Sequence, residues 1–334
     1  SAYEGKLRTS GFQLGKLLGD ESVVREVAFN GRVEGVGFEA SSLRLTANAT
    51  VQRIWLNGYR YRNITTNGVF SRRSFTGKIA ANDPNLQFDA DGTINLRPRE
   101  QAFDLRARVQ RADLRALGLT TKSIVVATTA DVQFEGLRLD ALLGYARLRS
   151  SRLSYGGRTV ALDTLDVLSQ LAAGERQVRV RSEALNLSLA GDFTPSTVIR
   201  DVQTLVAEYA LNFESNDEAI AAYYRRKRQQ PLPDYHIDLN LYLKQVNPLL
   251  HLFVPQLSLA DSSRFDGSFR NGQTSIFQLG GRIARVQYDS VQVFDADIDL
   301  TTSKLPYQPE ILAQASVTSA RQRLPGLGRT ENFY

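Results

Sequence analysis

The chain lacks cysteine and methionine altogether and has one tryptophan and two histidines among its 334 residues. Without cysteine it has no disulfides, no zinc–thiolate site and no cysteine nucleophile. No apolar run approaches the roughly 18–20 residues that a membrane-spanning helix requires. No signal-like segment is recognisable at the start, and we expect the sequence to be a segment of a longer polypeptide.

The charge balance is mildly basic, with 41 Lys and Arg against 35 Asp and Glu, and only seven of the cations are lysine. This balance suits anionic lipid headgroups or nucleic acid. A solvated sheet face would explain it as well, because most of the charges are scattered. The densest cluster is YYRRKRQQ at 223–230. Its basic residues, Arg225, Arg226, Lys227 and Arg228, are our candidates for contact with headgroups or a partner, or they simply complement the end of a helix.

Strict alternation of apolar and polar residues is the main pattern. Apolar residues occupy even positions from Leu86 to Leu96 and odd positions from Phe103 to Val109. A period of two predicts strands with one apolar face and one polar face. The same pattern recurs in Tyr235–Leu243 and Phe294–Leu300, so the chain is predicted to be mostly β-sheet.

Glycine dipeptides between the alternating runs favour tight hairpins. We interpret as turns the AsnGly pairs at 30–31, 57–58, 67–68 and 271–272, the GlyGly pairs at 156–157 and 280–281, and the AspGly pairs at 91–92 and 266–267. DADG at 89–92 resembles the opening of a calcium loop, but the ligands that should follow are missing, so it too is interpreted as a turn. Consecutive antiparallel strands, about 20 in all, are expected.

Helical patterns are few. One helix is predicted from Pro195 with Thr194 as its cap, and a second from Ser215 to Arg228. A short third helix is predicted in NPLLHLFVP, with Asn247 as its cap. The predicted organisation is therefore a β-segment over 1–194, a helical insert over 195–230 and a second β-segment over 231–334.

No catalytic arrangement is recognisable, and we expect no enzyme activity and no cofactor. His236 and His251 have no acid, serine or second histidine at a useful spacing. Asp295, Asp297 and Asp299 alternate along one strand, but neighbours on one face lie about 7 Å apart, too far for one tight calcium site. No glycine-rich phosphate loop, serine elbow or nucleic-acid-binding signature is present.

Three short helices cannot cover the apolar face of so many strands. The sheet must either roll into a packed barrel or sandwich, or leave an apolar groove that something else fills. Bare apolar patches beyond a few hundred Å² are rare on soluble proteins unless they bind a ligand or a partner.

Several phrases of the sequence resemble the TamB family of bacterial envelope proteins, within the AsmA-like superfamily. They include SGFQLGKLLGD at 10–20, the strand phrases over 57–96 and 103–119, DEAIAAYYRRKRQQPLPDY at 217–235, NPLLHLFVPQLSLAD at 247–261 and IDLTTSKL at 298–305. The phrases keep the family's order and are spread over most of the chain. They are structural phrases and point to no active site.

The resemblance implies an all-β fold: an elongated, mostly antiparallel, twisted β-sheet groove, taco-like, with an apolar inner face and a few short helices. It implies a periplasmic protein that is attached to the inner membrane through an anchor outside this chain. It further implies an outer-membrane partner barrel of the Omp85 type, similar to TamA. No nucleic-acid partner is expected, because the sequence has no nucleic-acid-binding signature. The expected function is a non-catalytic conduit that moves phospholipid between the two membranes.

Acyl chains would lie along the apolar strip while the headgroups remain outside it. The lining residues that we predict are Leu86, Phe88, Ile94, Leu96, Phe103, Leu105, Val109, Ile237, Leu239, Leu241, Phe294, Ile298 and Leu300. Two alternatives stay open: a scaffold or chaperone that binds outer-membrane protein strands by β-strand addition, and a closed β-protein with an ordinary core and an adhesive surface.

Overall fold

The computed structural model describes residues 2–13, 15–16, 24–37, 44–71, 73–97, 100–136, 138–214, 217–227, 233–324 and 328–333. The chain divides into two compact units, Ser1–Asp166 (unit 1) and Val167–Tyr334 (unit 2). About 69% of the chain is strand and 11% is helix. The all-β prediction is confirmed.

Unit 1 is a run of strands in which each strand pairs antiparallel with the next one along the chain, from β1 to β9. A single 3-10 turn, Leu139–Ala141, precedes the last of these strands. The strands are β1 Ala2–Phe12, β2 Val24–Val36, β3 Arg44–Leu56, β4 Tyr59–Ser71, β5 Ser74–Asp83, β6 Leu86–Asn95, β7 Ala102–Asp113, β8 Ile124–Glu135 and β9 Leu143–Tyr155.

The division between the units falls within strand β10, Arg158–Ala172. Unit 2 continues with β11 Glu175–Ser182, β12 Leu185–Gly191, β13 Tyr235–Leu243, β14 Leu257–Leu259, β15 Arg264–Asn271, β16 Ser275–Tyr288, β17 Val291–Lys304, β18 Ile311–Leu324 and β19 Gly328–Phe333. The pairing is antiparallel throughout: β11 to β13 pair in chain order, β13 pairs with β15, and β15 to β19 follow in order. The short β14 pairs with β16.

Three helices belong to unit 2. They are α1 Pro195–Glu214 and α2 Asp217–Lys227, which follow β12, and α3 Asn247–Phe253, which follows β13. The pair α1 and α2 lies within the helical insert predicted for 195–230. The boundaries proposed for the two β-segments stay a prediction, and Ser215 and Arg228, the predicted ends of the second helix, lie outside the described residues.

The change of parity between Leu96 and Phe103 is explained by the register of β6 and β7. Phe88 pairs with Val109 and Ile94 pairs with Phe103. Even-numbered residues of β6 therefore pair with odd-numbered residues of β7, and the side chains of both sets lie on the same side of the sheet. The two alternating runs therefore contribute to one apolar face.

Only some of the glycine dipeptides are turns. AsnGly at 57–58 separates β3 from β4, GlyGly at 156–157 separates β9 from β10, and 271–272 marks the end of β15. The turn prediction was wrong for 30–31, 67–68, 91–92, 266–267 and 280–281, which all lie inside strands, and DADG at 89–92 lies in the middle of β6.

These in-strand glycines allow neighbouring strands to approach closely. Gly68, Gly77 and Gly92 pair in sequence across β4, β5 and β6. A Cβ atom on Gly92, where φ is +142°, would lie 2.0 Å from the backbone oxygen of Asp104. Glycine inside a strand is typical of such close approach and of a bend in the sheet, and a dipeptide alone does not distinguish this role from a turn.

The cap predicted for α3 was also wrong. Asn247 is the first residue of the helix, and Val246 occupies the cap position with no side-chain cap bond. The Asn247 side chain instead bonds the backbone of Leu259, donating from Nδ2 to the carbonyl oxygen and accepting from the amide at Oδ1. It thereby ties the helix to β14, which satisfies two backbone groups of that short strand.

Candidate functional site

The apolar face of unit 1 is the principal candidate site. Its most apolar row crosses β5 to β8, where Phe75 pairs with Ile94, Ile94 with Phe103, and Phe103 with Phe134. Ile94, Phe103 and Phe134 are half-buried, whereas Phe75 is 9% exposed. In the described part of unit 1 no helix longer than one turn is available to cover this row.

A row of small residues runs parallel to the first row on the same face. Ala90, Ala107 and Ala130 pair in order across β6, β7 and β8. Between the two rows lies the row of Gly92, Leu105 and Val132. The face therefore has large side chains on one side and short ones on the other, which leaves space above the alanines.

Most of the predicted lining residues of unit 1 lie on this face. Leu86, Phe88, Ile94, Phe103, Leu105 and Val109 are all half-buried. Leu96 follows the end of β6 and is 45% exposed. Sequence reasoning missed Phe75, Val132 and Phe134, although β5 and β8 carry the same alternation that identified β6 and β7.

In unit 2 the register also brings predicted residues into shared rows. Leu239 connects through Gly267 and Leu279 to Leu300, and Leu241 connects through Phe265 and Gly281 to Ile298. These rows extend over four strands, from β13 to β17. Phe265 and Leu279 were not predicted.

Two predicted residues of unit 2 have different surroundings. Ile237 is 6% exposed and belongs to a packed cluster with Phe193 and Tyr235, against which Val198 of α1 also packs. Phe294 pairs with Arg285 and has the Arg321 guanidinium 5.0 Å from the centre of its ring. Ile237 thus lies in a dry core, and Phe294 is covered by a cation.

Helix α1 is held to the sheet of unit 2 by two carboxylates, the half-buried Asp201 and the buried Glu208. Asp201 accepts hydrogen bonds from the Tyr235 hydroxyl at 2.9 Å and from the Asn271 amide at 3.1 Å. Glu208, which is 1% exposed, contacts the ammonium groups of Lys227 and Lys304. These contacts join α1 to α2 and to the end of β17.

The Glu208 cluster has strongly shifted acid–base equilibria. Burial alone would raise the pKa of the Glu208 carboxyl, but the hydrogen bonds and charges of Lys227 and Lys304 outweigh it, and the pKa lies below its ordinary value. Burial lowers the pKa of Lys304. Tyr223 donates to Glu208 at 2.9 Å, and burial together with that carboxylate raises its pKa.

Only part of the predicted basic contact site remains open. Arg225 and Arg226 are exposed on α2, whereas Lys227 is engaged by Glu208. Arg228 lies outside the described residues. Of the three basic side chains of this cluster that the structure describes, Arg225 and Arg226 therefore remain to meet a headgroup or partner.

The charged face of unit 1 has a groove of about 670 Å³. Its walls are two polar rows that cross the strands, one including Asp91, Arg106 and Asp131 and the other including Asp89 and Arg108. None of the predicted lining residues lines it. A similar groove of about 520 Å³ in unit 2 includes Asp297, Asp299 and the predicted Ile298. In both grooves, acidic and basic residues face each other on neighbouring strands, which is a favourable arrangement on a solvated sheet face.

The histidines have partners that spacing did not indicate. His236 Nδ1 lies 2.7 Å from Asp192 Oδ1, and His251 Nε2 lies 3.0 Å from the Ser258 hydroxyl. Asp297 pairs with Arg282. No group of three or more histidine, aspartate or glutamate side chains suited to a metal ion occurs within the described ranges.

No helix in the described part of the chain has the length and apolar character needed to cross a membrane. Comparison of the chain with family models, with curated proteins and with solved structures gives no match.

Proposed function

We propose that the chain is a non-catalytic lipid-transfer protein whose apolar sheet face in unit 1 holds phospholipid acyl chains. The observation that supports this most is the half-buried row Ile94, Phe103 and Phe134, which lies on consecutive strands, with no helix longer than one turn among the described residues of unit 1 to cover it. At about 4.8 Å per strand, the nine described strands from β1 to β9 provide a face of roughly 40 Å across.

Transfer of acyl chains from water to this apolar face is energetically favourable. Each methylene removed from water contributes about 0.8 kcal/mol, so leaving a sixteen-carbon chain exposed would cost roughly 12 kcal/mol. The half-buried side chains of the face gain from the same contact. Catalytic groups are not required, because holding and passing a lipid breaks no bond.

The wider setting of the proposal comes from the family resemblance. There the conduit lies in the periplasm, is anchored to the inner membrane outside this chain, and delivers phospholipid to an outer membrane that holds an Omp85-type barrel. The exposed Arg225 and Arg226 would contact headgroups or that partner.

Native mass spectrometry of the purified chain tests the proposal. We expect co-purified phospholipid on the wild type and at least a tenfold loss for Phe88→Asp/Ile94→Asp/Phe103→Asp, which places charge among the acyl chains. The matched control is Gln87→Asp/Gln110→Asp/Gln133→Asp, which adds three carboxylates at polar positions of β6, β7 and β8 and should keep the lipid. If the triple variant loses its strand signal in circular dichroism, Phe103→Asp alone replaces it.

Equal lipid on all variants, or none on the wild type, would contradict the proposal. Assembly of outer-membrane proteins by strand addition is the alternative. It predicts crosslinks from a strand backbone to an added barrel strand, and no dependence on the apolar row.

A further inference from the structure

The end of the β3–β4 hairpin carries an unusual group of side chains. Its turn, Asn57–Gly58, has φ of 49° and 84°, the pair of positive values that a tight two-residue hairpin turn requires. Trp55 pairs with Arg60, and Arg53 pairs with Arg62, so all four lie on one face. We call these residues, together with Arg25 of β2, the arginine–tryptophan patch.

The patch brings like charges together. Arg53 and Arg62 are direct cross-strand partners, an arrangement that destabilises a sheet. On β6 to β8 the charges alternate, since Arg106 has Asp91 on one side and Asp131 on the other. The pair Lys6 and Arg32 on β1 and β2 is also of like charge, but Glu4 forms an ion pair with Arg32 there. The patch differs from both places because none of its arginines has such a carboxylate among the described residues.

The charge of the patch is not neutralised by ion pairs within the described residues. Arg53 donates to the backbone oxygen of Ser10 at 2.5 Å, and all four arginines are exposed. The carboxylate of the buried Asp83 accepts hydrogen bonds from the Tyr59 hydroxyl at 2.6 Å and from the backbone amide of Arg62 at 3.0 Å. These bonds fix the hairpin end. Ser10 accepts from only one nitrogen of Arg53, so N–H donors of the exposed guanidinium groups remain for an external anion.

The tryptophan makes the patch amphipathic. The guanidinium groups of Arg25 and Arg60 lie 5.9 and 5.3 Å from the centre of the Trp55 ring. Leu56 and Tyr59 pair beside them on the other face of the hairpin. Tryptophan and tyrosine favour the membrane–water interface, and clustered arginines favour anionic lipid phosphates.

We propose that the arginine–tryptophan patch docks this end of unit 1 onto a membrane surface rich in anionic phospholipid. The guanidinium groups contact phosphate oxygens, and the Trp55 ring enters the headgroup layer. The register of β2 and β3 shifts between Ala28 and Phe29, and beyond that shift the side chains of β3 and β4 change parity, so that Arg53 and Arg62 are exposed. This docking is therefore independent of lipid storage on the apolar face.

Trp55 is the only tryptophan of the chain, so its fluorescence reports directly on the patch. Vesicles of phosphatidylcholine with 30% phosphatidylglycerol should shift its emission to the blue and bind the protein in flotation. Pure phosphatidylcholine vesicles should do neither, and added salt should release the protein. No shift and no flotation with the anionic vesicles would overturn the proposal.

A pair of matched variants locates the effect. Since each basic residue near an anionic surface contributes about a fivefold gain in partitioning, Arg53→Gln/Arg62→Gln should weaken vesicle binding by roughly 25-fold. Arg179→Gln/Arg181→Gln removes the same charge from exposed positions of β11 and should change binding less than threefold. Equal losses for the two variants would contradict a specific patch.

Two further readouts separate this proposal from its rivals. Arg53→Gln/Arg62→Gln should leave the melting temperature nearly unchanged, because relief of the like-charge pair offsets the lost hydrogen bond from Arg53 to Ser10. Co-purified lipid should also be unchanged. Fluorescence anisotropy with a labelled oligonucleotide tests the other polyanion. Tight oligonucleotide binding without vesicle binding would assign the patch to nucleic acid and overturn the membrane proposal.

Discussion

The two units treat similar apolar strand faces in different ways. In unit 2, α1 lies against the sheet, and Ile237 is sealed in a cluster with Phe193 and Tyr235. In unit 1 no comparable helix occurs among the described residues, and Ile94 and Phe103 stay half-buried. The alternation that produces the strands is the same in both, so a covering helix, not the strand pattern, decides which face forms a dry core.

The covering helix of unit 2 depends on polar anchors at its buried side. The ammonium groups of Lys227 and Lys304 meet one carboxylate, that of Glu208. Removing the carboxylate leaves the buried Lys304 and the half-buried Lys227 without this counter-ion, which costs more than the pair itself contributed.

The largest expected effect is therefore that of Glu208→Ala. We expect the free energy of unfolding of unit 2 to fall by about 3–5 kcal/mol, the usual result of breaking a buried ion pair. Urea unfolding measures it, with Glu218→Gln as the control, because Glu218 is exposed on α2 and should cost less than about 0.5 kcal/mol. A small loss for Glu208→Ala would mean that α1 is not held by this cluster.

The same cluster gives a pH dependence whose sign follows from the lowered pKa of Glu208. The carboxylate contributes stability above its unfolded pKa, and that contribution is lost as the pH falls through the lower folded value. Acid unfolding of the wild type should thus be steeper than that of Glu208→Gln below about pH 4.5. Parallel curves would contradict the pairing.

An intermediate effect compares the two faces directly. Ile237→Ala should cost about 2–5 kcal/mol, as expected for a buried isoleucine, whereas Ile94→Ala should cost about half as much because its side chain is only half-buried. Denaturant midpoints of the two variants, prepared free of lipid, provide the comparison. Equal costs would show that the unit 1 face is as well packed as the unit 2 core.

The smallest expected effect concerns Thr66, a residue of β4 in unit 1. Thr66 pairs with Ala49 and Ile79, and its buried hydroxyl has no hydrogen-bond partner among the described atoms. Thr66→Val should stabilise the protein by about 1 kcal/mol, since it removes a buried unsatisfied polar group. Thermal melts can measure this, with the exposed Thr65→Val as the control; a loss of stability would indicate that water reaches this position.

Much of the fold could be predicted from local pattern. Alternation indicated β6, β7, β13 and β17 and the face that each presents, and capping signals indicated the start of α1 at Pro195. The in-strand glycines could not be separated from turns, because the same residue serves a hairpin and a close strand contact. Gly68, Gly77 and Gly92 acquire their role only when register aligns them.

The anchors of the candidate site had no local signal. Glu208 and Lys304 are 96 positions apart, and neither belongs to a recognisable motif. Ile237 was predicted to line a groove because its strand alternates, yet whether a helix covers a strand depends on tertiary packing. The arginine–tryptophan patch was likewise visible only after register placed Arg53 opposite Arg62.

The most direct test is photocrosslinking to lipid at matched positions of the two faces. Benzoylphenylalanine would replace Phe103 in one variant and Ile237 in another, and each protein would be irradiated with bound radiolabelled phospholipid. The account predicts a strong lipid adduct at position 103 and little or none at position 237. No adduct at 103, or equal adducts at both positions, would contradict the claim that the uncovered face of unit 1 holds acyl chains.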